Sequence, residues 1–94
     1  PVAYVAKFDT EEQAIAMAND TDYGLANSVW TGNKERAARV AEAMEAGNSW
    51  INAHNVFPRG VPYGGVNKSG MGGGVLSIEM LLDYYRPQSV VRPL

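Results

Sequence analysis

Apolar residues switch between two spacings over the first half of the chain, and that switching is the strongest limit on what it can fold into. Val2, Tyr4, Val5 and Phe8 lie in a partly alternating stretch that predicts a strand over Pro1–Phe8. Asp9, with Glu12 three residues on, is a capping-box pattern for a helix over Thr10–Asn19. Ala14, Ile15 and Ala18 would form its apolar face, with Glu11, Glu12 and Gln13 toward water. Asp20–Gly24 is turn chemistry, and Leu25–Trp30 reads as a second, buried strand. Asn33 can cap a second helix over Lys34–Ala46. There Ala37, Val40, Ala41 and Met44 fall at i, i+3, i+4 and i+7, the clearest helical period in the chain. Glu35 and Arg39 are spaced for an ion pair on its exposed side, and Gly47 for a left-handed cap at its end. Ser49–Asn52 reads as a third strand. The order β-α-β-α-β predicts an α/β layered unit with short crossovers, either complete or one edge of a larger sheet.

A long loop follows, from Trp50 to Gly70, too rich in Gly, Pro and Asn to be helix. It nevertheless holds Val56, Phe57, Val61, Pro62 and Tyr63. A solvated loop gains nothing from large apolar side chains, so this one is expected to line something. Beyond it, Gly70, Gly72, Gly73 and Gly74 form a turning run. Ser77 is placed to cap a short helix whose Ile78, Leu81, Leu82 and Tyr85 share a face. The tail, Tyr85–Leu94, carries Val90 and Val91 between Pro87 and Pro93, which predicts an edge strand.

Composition removes several function classes. The 94 residues bound a single domain that would be marginal alone. A net charge of −2 gives no basic excess for a phosphate backbone, so nucleic acid is not an expected partner. The apolar runs are too short to span a bilayer, and no leader-like segment opens the chain. With no cysteine, these residues supply no disulfide, thiolate metal site or cysteine nucleophile. The sequons at Asn19 and Asn67 read as chance without a leader.

The remaining polar motifs read structurally. Gly70-Met71-Gly72 begins a dinucleotide fingerprint, but Val75 stands at its third glycine. Asn67, not glycine, precedes Lys68-Ser69, so a phosphate-binding loop fails as well. His54, the single histidine, has no companion ligand and is expected to pack or face solvent. Glu42, Glu45 and Glu79 read as solvated helix charges. No catalytic, cofactor-binding or metal-ligating residue is assigned. On residues alone, Phe57 and Tyr63 favour local packing over ligand contact.

Taken in order, Trp50-Ile51-Asn52, Phe57, Pro62-Tyr63-Gly64-Gly65 and Lys68-Ser69-Gly70 resemble the C-terminal signature of the aldehyde dehydrogenase superfamily. The flanks, Phe8–Thr31 and Asp83–Val91, are similar to the same family. The resemblance implies part of a catalytic domain over 1–84 and an oligomerisation strand over 85–94. It implies that Asn55, Phe57 and Tyr63 help wall a substrate tunnel for an aldehyde. Tyr63 stands where many relatives carry Phe, a departure toward a more polar aldehyde or a retained water. In the family's chemistry a Cys thiolate attacks the aldehyde, hydride passes to NAD(P)+, and a Glu-activated water hydrolyses the thioester. None of those groups is expected in these residues, nor is a bound cofactor. Relatives commonly follow Ser-Gly-x-Gly with Arg-Glu-Leu-Gly, whereas this chain has Gly73-Gly74-Val75-Leu76.

The resulting expectation is a C-terminal piece of a cytoplasmic, NAD(P)-dependent aldehyde dehydrogenase, inactive alone. Its partners would be the rest of the parent chain and, through Tyr85–Val91, further copies in a homo-oligomer. The rival expectation is a stand-alone, self-associating interaction module. Under either reading, incompletely covered apolar faces predict self-association of the isolated chain.

Overall fold

The packing centre of the structure, a computed structural model describing residues 1–94, is helix α2 (Lys34–Ala43). Asn33 starts it, its side-chain oxygen accepting the Arg36 N–H at 2.8 Å. The predicted apolar face is real. Ala37 and Val40 are 3% and 7% exposed and are the only buried hydrophobic residues, with Ala41 and Met44 partly covered. The helix ends earlier than its periodicity suggested, at Ala43, with Met44 extended behind it. Gly47 is therefore not a left-handed helix cap. It lies where a side chain would overlap the Gly64 carbonyl, so its smallness serves a close approach of two backbones.

The α2 helix connects β2 (Ala26–Val29) to β3 (Asn48–Ile51), which pair in parallel with Ser28 opposite Trp50 and Val29 opposite Ile51. This is a βαβ unit, the connection that parallel neighbours require. Helix α1 (Glu11–Asn19) packs on α2. Its cap is displaced by one residue from the expected Asp9. Thr10 Oγ1 accepts the Gln13 N–H at 3.1 Å, while Gln13 Oε1 accepts the Asp9 N–H at 2.8 Å. Glu11 does not simply face water. Its carboxylate takes the Arg39 guanidinium from α2, so Arg39 pairs across the helices and not with Glu35 along its own.

Two elements had no local signal. Tyr23–Gly24, expected as turn, forms β1 and pairs antiparallel with β4 (Val66–Asn67), and Lys68 and Asp22 form an ion pair beside it. The junction is tight: the Gly24 N–H donates to Ser69 Oγ at 3.0 Å.

Three expected elements are altered. Pro1–Phe8 forms no strand: Val2 and Tyr4 are 100% and 91% exposed, and no ladder partner lies beside them. The tail likewise pairs with nothing inside the chain, and Val90 and Val91 are exposed. Both stretches have strand-like residues, but a strand exists only where a neighbour takes its backbone groups. Ser77 caps nothing. Helix α3 (Glu79–Leu82) is a single turn with no side-chain cap, and its expected apolar face, including Leu81 and Leu82, is exposed. The α/β class holds, while the β-α-β-α-β layering reduces to one parallel pair with two helices.

Only four of 94 residues are buried, and the radius of gyration is 17.8 Å. A compact chain of this length would have about 12 Å. The difference comes from the extended ends and from the want of a closed core.

Candidate active-site cavity

Strand β3 delivers Trp50 directly into the loop, and the loop folds back over it. The indole Nε1–H donates to the Val56 carbonyl at 2.7 Å, closing a short turn against the ring. Phe57 then stands edge-on to Trp50, with centroids 5.8 Å apart and planes at 86°. Tyr63 lies over Trp50 at 6.1 Å and 29°, and edge-on to Phe57 at 4.9 Å and 85°. These are favoured aromatic geometries, each worth about 0.5–1.5 kcal/mol beyond the area buried.

The three rings line a cavity of about 330 Å³ that runs along β3 from Asn48 to Ile51, with Pro62 and Leu76 among its other walls. Its closure depends on the second half of the loop. The Tyr63 N–H donates to the Val75 carbonyl and the Val75 N–H returns to Tyr63, both at 3.0 Å. The Gly60 N–H donates to the Leu76 carbonyl at 2.8 Å. Segment 60–63 is thereby tied to 75–76, which is how Leu76 reaches the cavity.

Of the three residues the resemblance singled out, Phe57 and Tyr63 line this cavity and Asn55 does not. Asn55 has φ 55°, and it makes the left-handed turn that reverses the chain between Trp50 and Phe57. Sequence reasoning passed over Trp50 as a wall. The available signal was a large aromatic one residue from the end of a strand that runs into an apolar loop. His54 packs edge-on to Trp50 at 5.3 Å, its Nδ1 2.7 Å from Ser28 Oγ, in keeping with a packing role.

The polar inventory is sparse. Among His, Asp and Glu, no group of three is placed to hold a metal ion. The glycine run does not fit a dinucleotide phosphate. The Gly74 N–H points to Asp83 Oδ2 at 3.4 Å, and a side chain at Gly73 would meet the same carboxylate. An anion already occupies the approach that a pyrophosphate would need. The glycine run therefore offers no open anion site of the kind a pyrophosphate requires.

An apolar cavity walled by aromatic side chains is a common form of small-molecule site, and the fold around it is of the mixed α/β class. The family model described as "Aldehyde dehydrogenase family" matches residues 1–90. The chain belongs to the aldehyde dehydrogenase family. It is 53% identical over 72 residues to a betaine aldehyde dehydrogenase of Cereibacter sphaeroides, covering 77% of this chain and 15% of that protein. A second relative, betaine aldehyde dehydrogenase 2 of Rhizobium meliloti, is 47% identical over the same length, with the same coverage. Among solved structures, PnpE in complex with nicotinamide adenine dinucleotide superposes with a TM-score of 0.78 at 42% identity, over 84% of this chain and 16% of that one. Betaine aldehyde dehydrogenase from Staphylococcus aureus in complex with NAD+ gives 0.77 at 40%, over 82% and 15%. The chain spans about 15% of the length of the curated relatives it matches. No helix is long and apolar enough to cross a membrane.

Proposed function

We infer that this chain serves as the substrate-side portion of an NAD(P)-dependent aldehyde dehydrogenase that oxidises an aldehyde to a carboxylic acid. One observation carries this reading: Trp50, Phe57 and Tyr63 wall an apolar cavity within the segment that matches the family. Their role is to bind and orient the apolar end of an aldehyde and to keep bulk water from it. Asn55 contributes by setting the turn that aims Phe57. The nucleophile, the water-activating carboxylate and the nucleotide site belong to the remainder of a longer protein, so the 94 residues are inert alone. When bound there, NAD(P) supplies the hydride acceptor.

Residues 1–84 belong to the catalytic domain, and Tyr85–Val91 adds as a strand to a neighbouring subunit. The exposed, extended Val90 and Val91 support that assignment. A cytoplasmic location accords with this chemistry. The rival reading, a self-associating module without catalysis, is not favoured given a family match over residues 1–90.

The test uses the full-length gene product. Aldehyde-dependent formation of NADH or NADPH is expected from it, and none from the purified 94-residue chain. Turnover by the short chain, or none by the long one with any of a panel of aldehydes, would overturn the assignment.

A further inference from the structure

The loop that walls the cavity starts at Asn52, and Asn52 is bound to one residue with both ends of its carboxamide. Thr31 N–H donates to Asn52 Oδ1 at 2.9 Å, and Asn52 Nδ2 donates to the Thr31 carbonyl at 2.9 Å. The Asn52 backbone N–H donates to the Val29 carbonyl at 2.8 Å, the last rung of the parallel pair. The backbone then turns away, with φ 50° at Asn52, a left-handed conformation that Asn tolerates better than most residues. Beyond that rung the side chain acts as a substitute peptide group. It extends the ladder by one step while releasing the main chain into the loop.

We propose that Asn52 is a positioning residue for the cavity: its carboxamide fixes the loop's departure from the sheet and thereby the spacing of Trp50, Phe57 and Tyr63. This rests on the proposed aldehyde-oxidising role for its kinetic consequences, and on geometry alone for its structural ones. The linkage runs in both directions from Thr31. On one side Thr31 Oγ1 accepts the Asn33 N–H at 3.2 Å, and Asn33 caps α2. On the other, the clamp lies two residues from Trp50, whose indole holds Val56 next to Phe57. The second tie between β2 and the loop is the exposed Ser28–His54 bond. Without Asn52, Trp50 would stay in the ladder opposite Ser28, but the loop that carries Phe57 and Tyr63 would lose its fixed position against it. Small errors of position cost rate wherever a substrate must be held near the reacting groups.

Three variants of the full-length protein separate this role from simple stability. Asn52→Gly keeps the left-handed backbone and removes the clamp. Asn52→Asp keeps the shape but sets a carboxylate oxygen against the Thr31 carbonyl, and a proton restores the donor. Asn52→Gln keeps the chemistry and moves it by one methylene. For Asn52→Gly, kcat/KM should fall about tenfold for phenylacetaldehyde and by less than about threefold for acetaldehyde, which touches little of the wall. For Asn52→Asp, the ratio to wild type should recover as pH falls, because only the protonated carboxyl can donate to Thr31. Asn52→Gln should not recover with pH. Independently of activity, the fluorine resonance of 5-fluorotryptophan at Trp50, assigned with Trp50→Phe, should shift or broaden in Asn52→Gly. An unmoved Trp50 resonance, or equal losses for both aldehydes without pH recovery in Asn52→Asp, would overturn the proposal. If the wild-type protein oxidises no aldehyde, the enzymatic reading fails and the Trp50 resonance alone decides the positioning claim.

Discussion

The Glu11 carboxylate and the Arg39 guanidinium meet as a two-pronged pair, Nε to Oε1 at 2.7 Å and Nη2 to Oε2 at 2.8 Å. Arg36 adds a longer contact at 3.4 Å. This fork is one polar tie between α1 and α2; the other is Asn19 Nδ2, which donates to the Ala43 carbonyl at 2.9 Å. The hydrogen bonds from Arg39 hold the Glu11 carboxyl below the ordinary glutamate value, and the same bonds raise Arg39. A lowered carboxyl contributes stability that is full above its unfolded value and is lost as pH falls through the folded one. Arg39 stays charged throughout and adds no window at working pH. Glu11→Gln should therefore loosen α1, seen as faster amide exchange over residues 11–19 at neutral pH. The difference from wild type should shrink in strong acid and in high salt, since the pair is at the surface.

Two glycines give opposite expectations. A methyl at Gly47 would overlap the Gly64 carbonyl, whereas nothing lies within 4 Å of one at Gly32. Gly47→Ala should destabilise by about 1–3 kcal/mol or more, because backbone must move. Gly32→Ala should lie between neutral and about 1 kcal/mol stabilising, through a less flexible unfolded chain. Urea midpoints of the full-length protein would compare them.

Phe57 contacts both other rings, so its loss should open the wall without unfolding the sheet. Under the proposed function, Phe57→Ala in the full-length protein should raise KM for aromatic aldehydes about tenfold, the scale of losing one favourable aromatic pair contact. Propionaldehyde should be affected less. Steady-state kinetics on both substrates gives the comparison.

The tail is the remaining case. If Tyr85–Val91 adds to a neighbour's sheet, Val90→Pro removes one backbone donor from that ladder. The full-length variant should shift toward smaller assemblies in sedimentation velocity. An unchanged distribution would count against the assignment.

What could be read in advance follows from how far each signal reaches along the chain. Helix α2 was legible because Ala37 and Val40 lie one turn apart and Asn33 caps locally. Val56, Phe57, Val61, Pro62 and Tyr63 stood out as lining because large apolar residues in a loop have few other uses, while Trp50 was passed over. Strand β1 was hidden because its partner, Val66–Asn67, is more than forty residues away and Asp20–Gly24 carries turn residues. Pro1–Phe8 misled for the opposite reason: its composition suits a strand, but pairing depends on a neighbour that these residues do not provide. Asn55 could not be placed in advance because a loop position says little about direction; it has φ 55° and lies outside the cavity lining. The Glu11–Arg39 fork depended on how two helices cross, which neither helix encodes alone.

The parallel pair β2–β3 has an unpaired margin on each side. Each margin is a row of donors and acceptors at fixed spacing, able to template an incoming segment. Under the proposed function, those two rows are where further strands of the parent protein would seat, so a short peptide matching one of them should compete for the place.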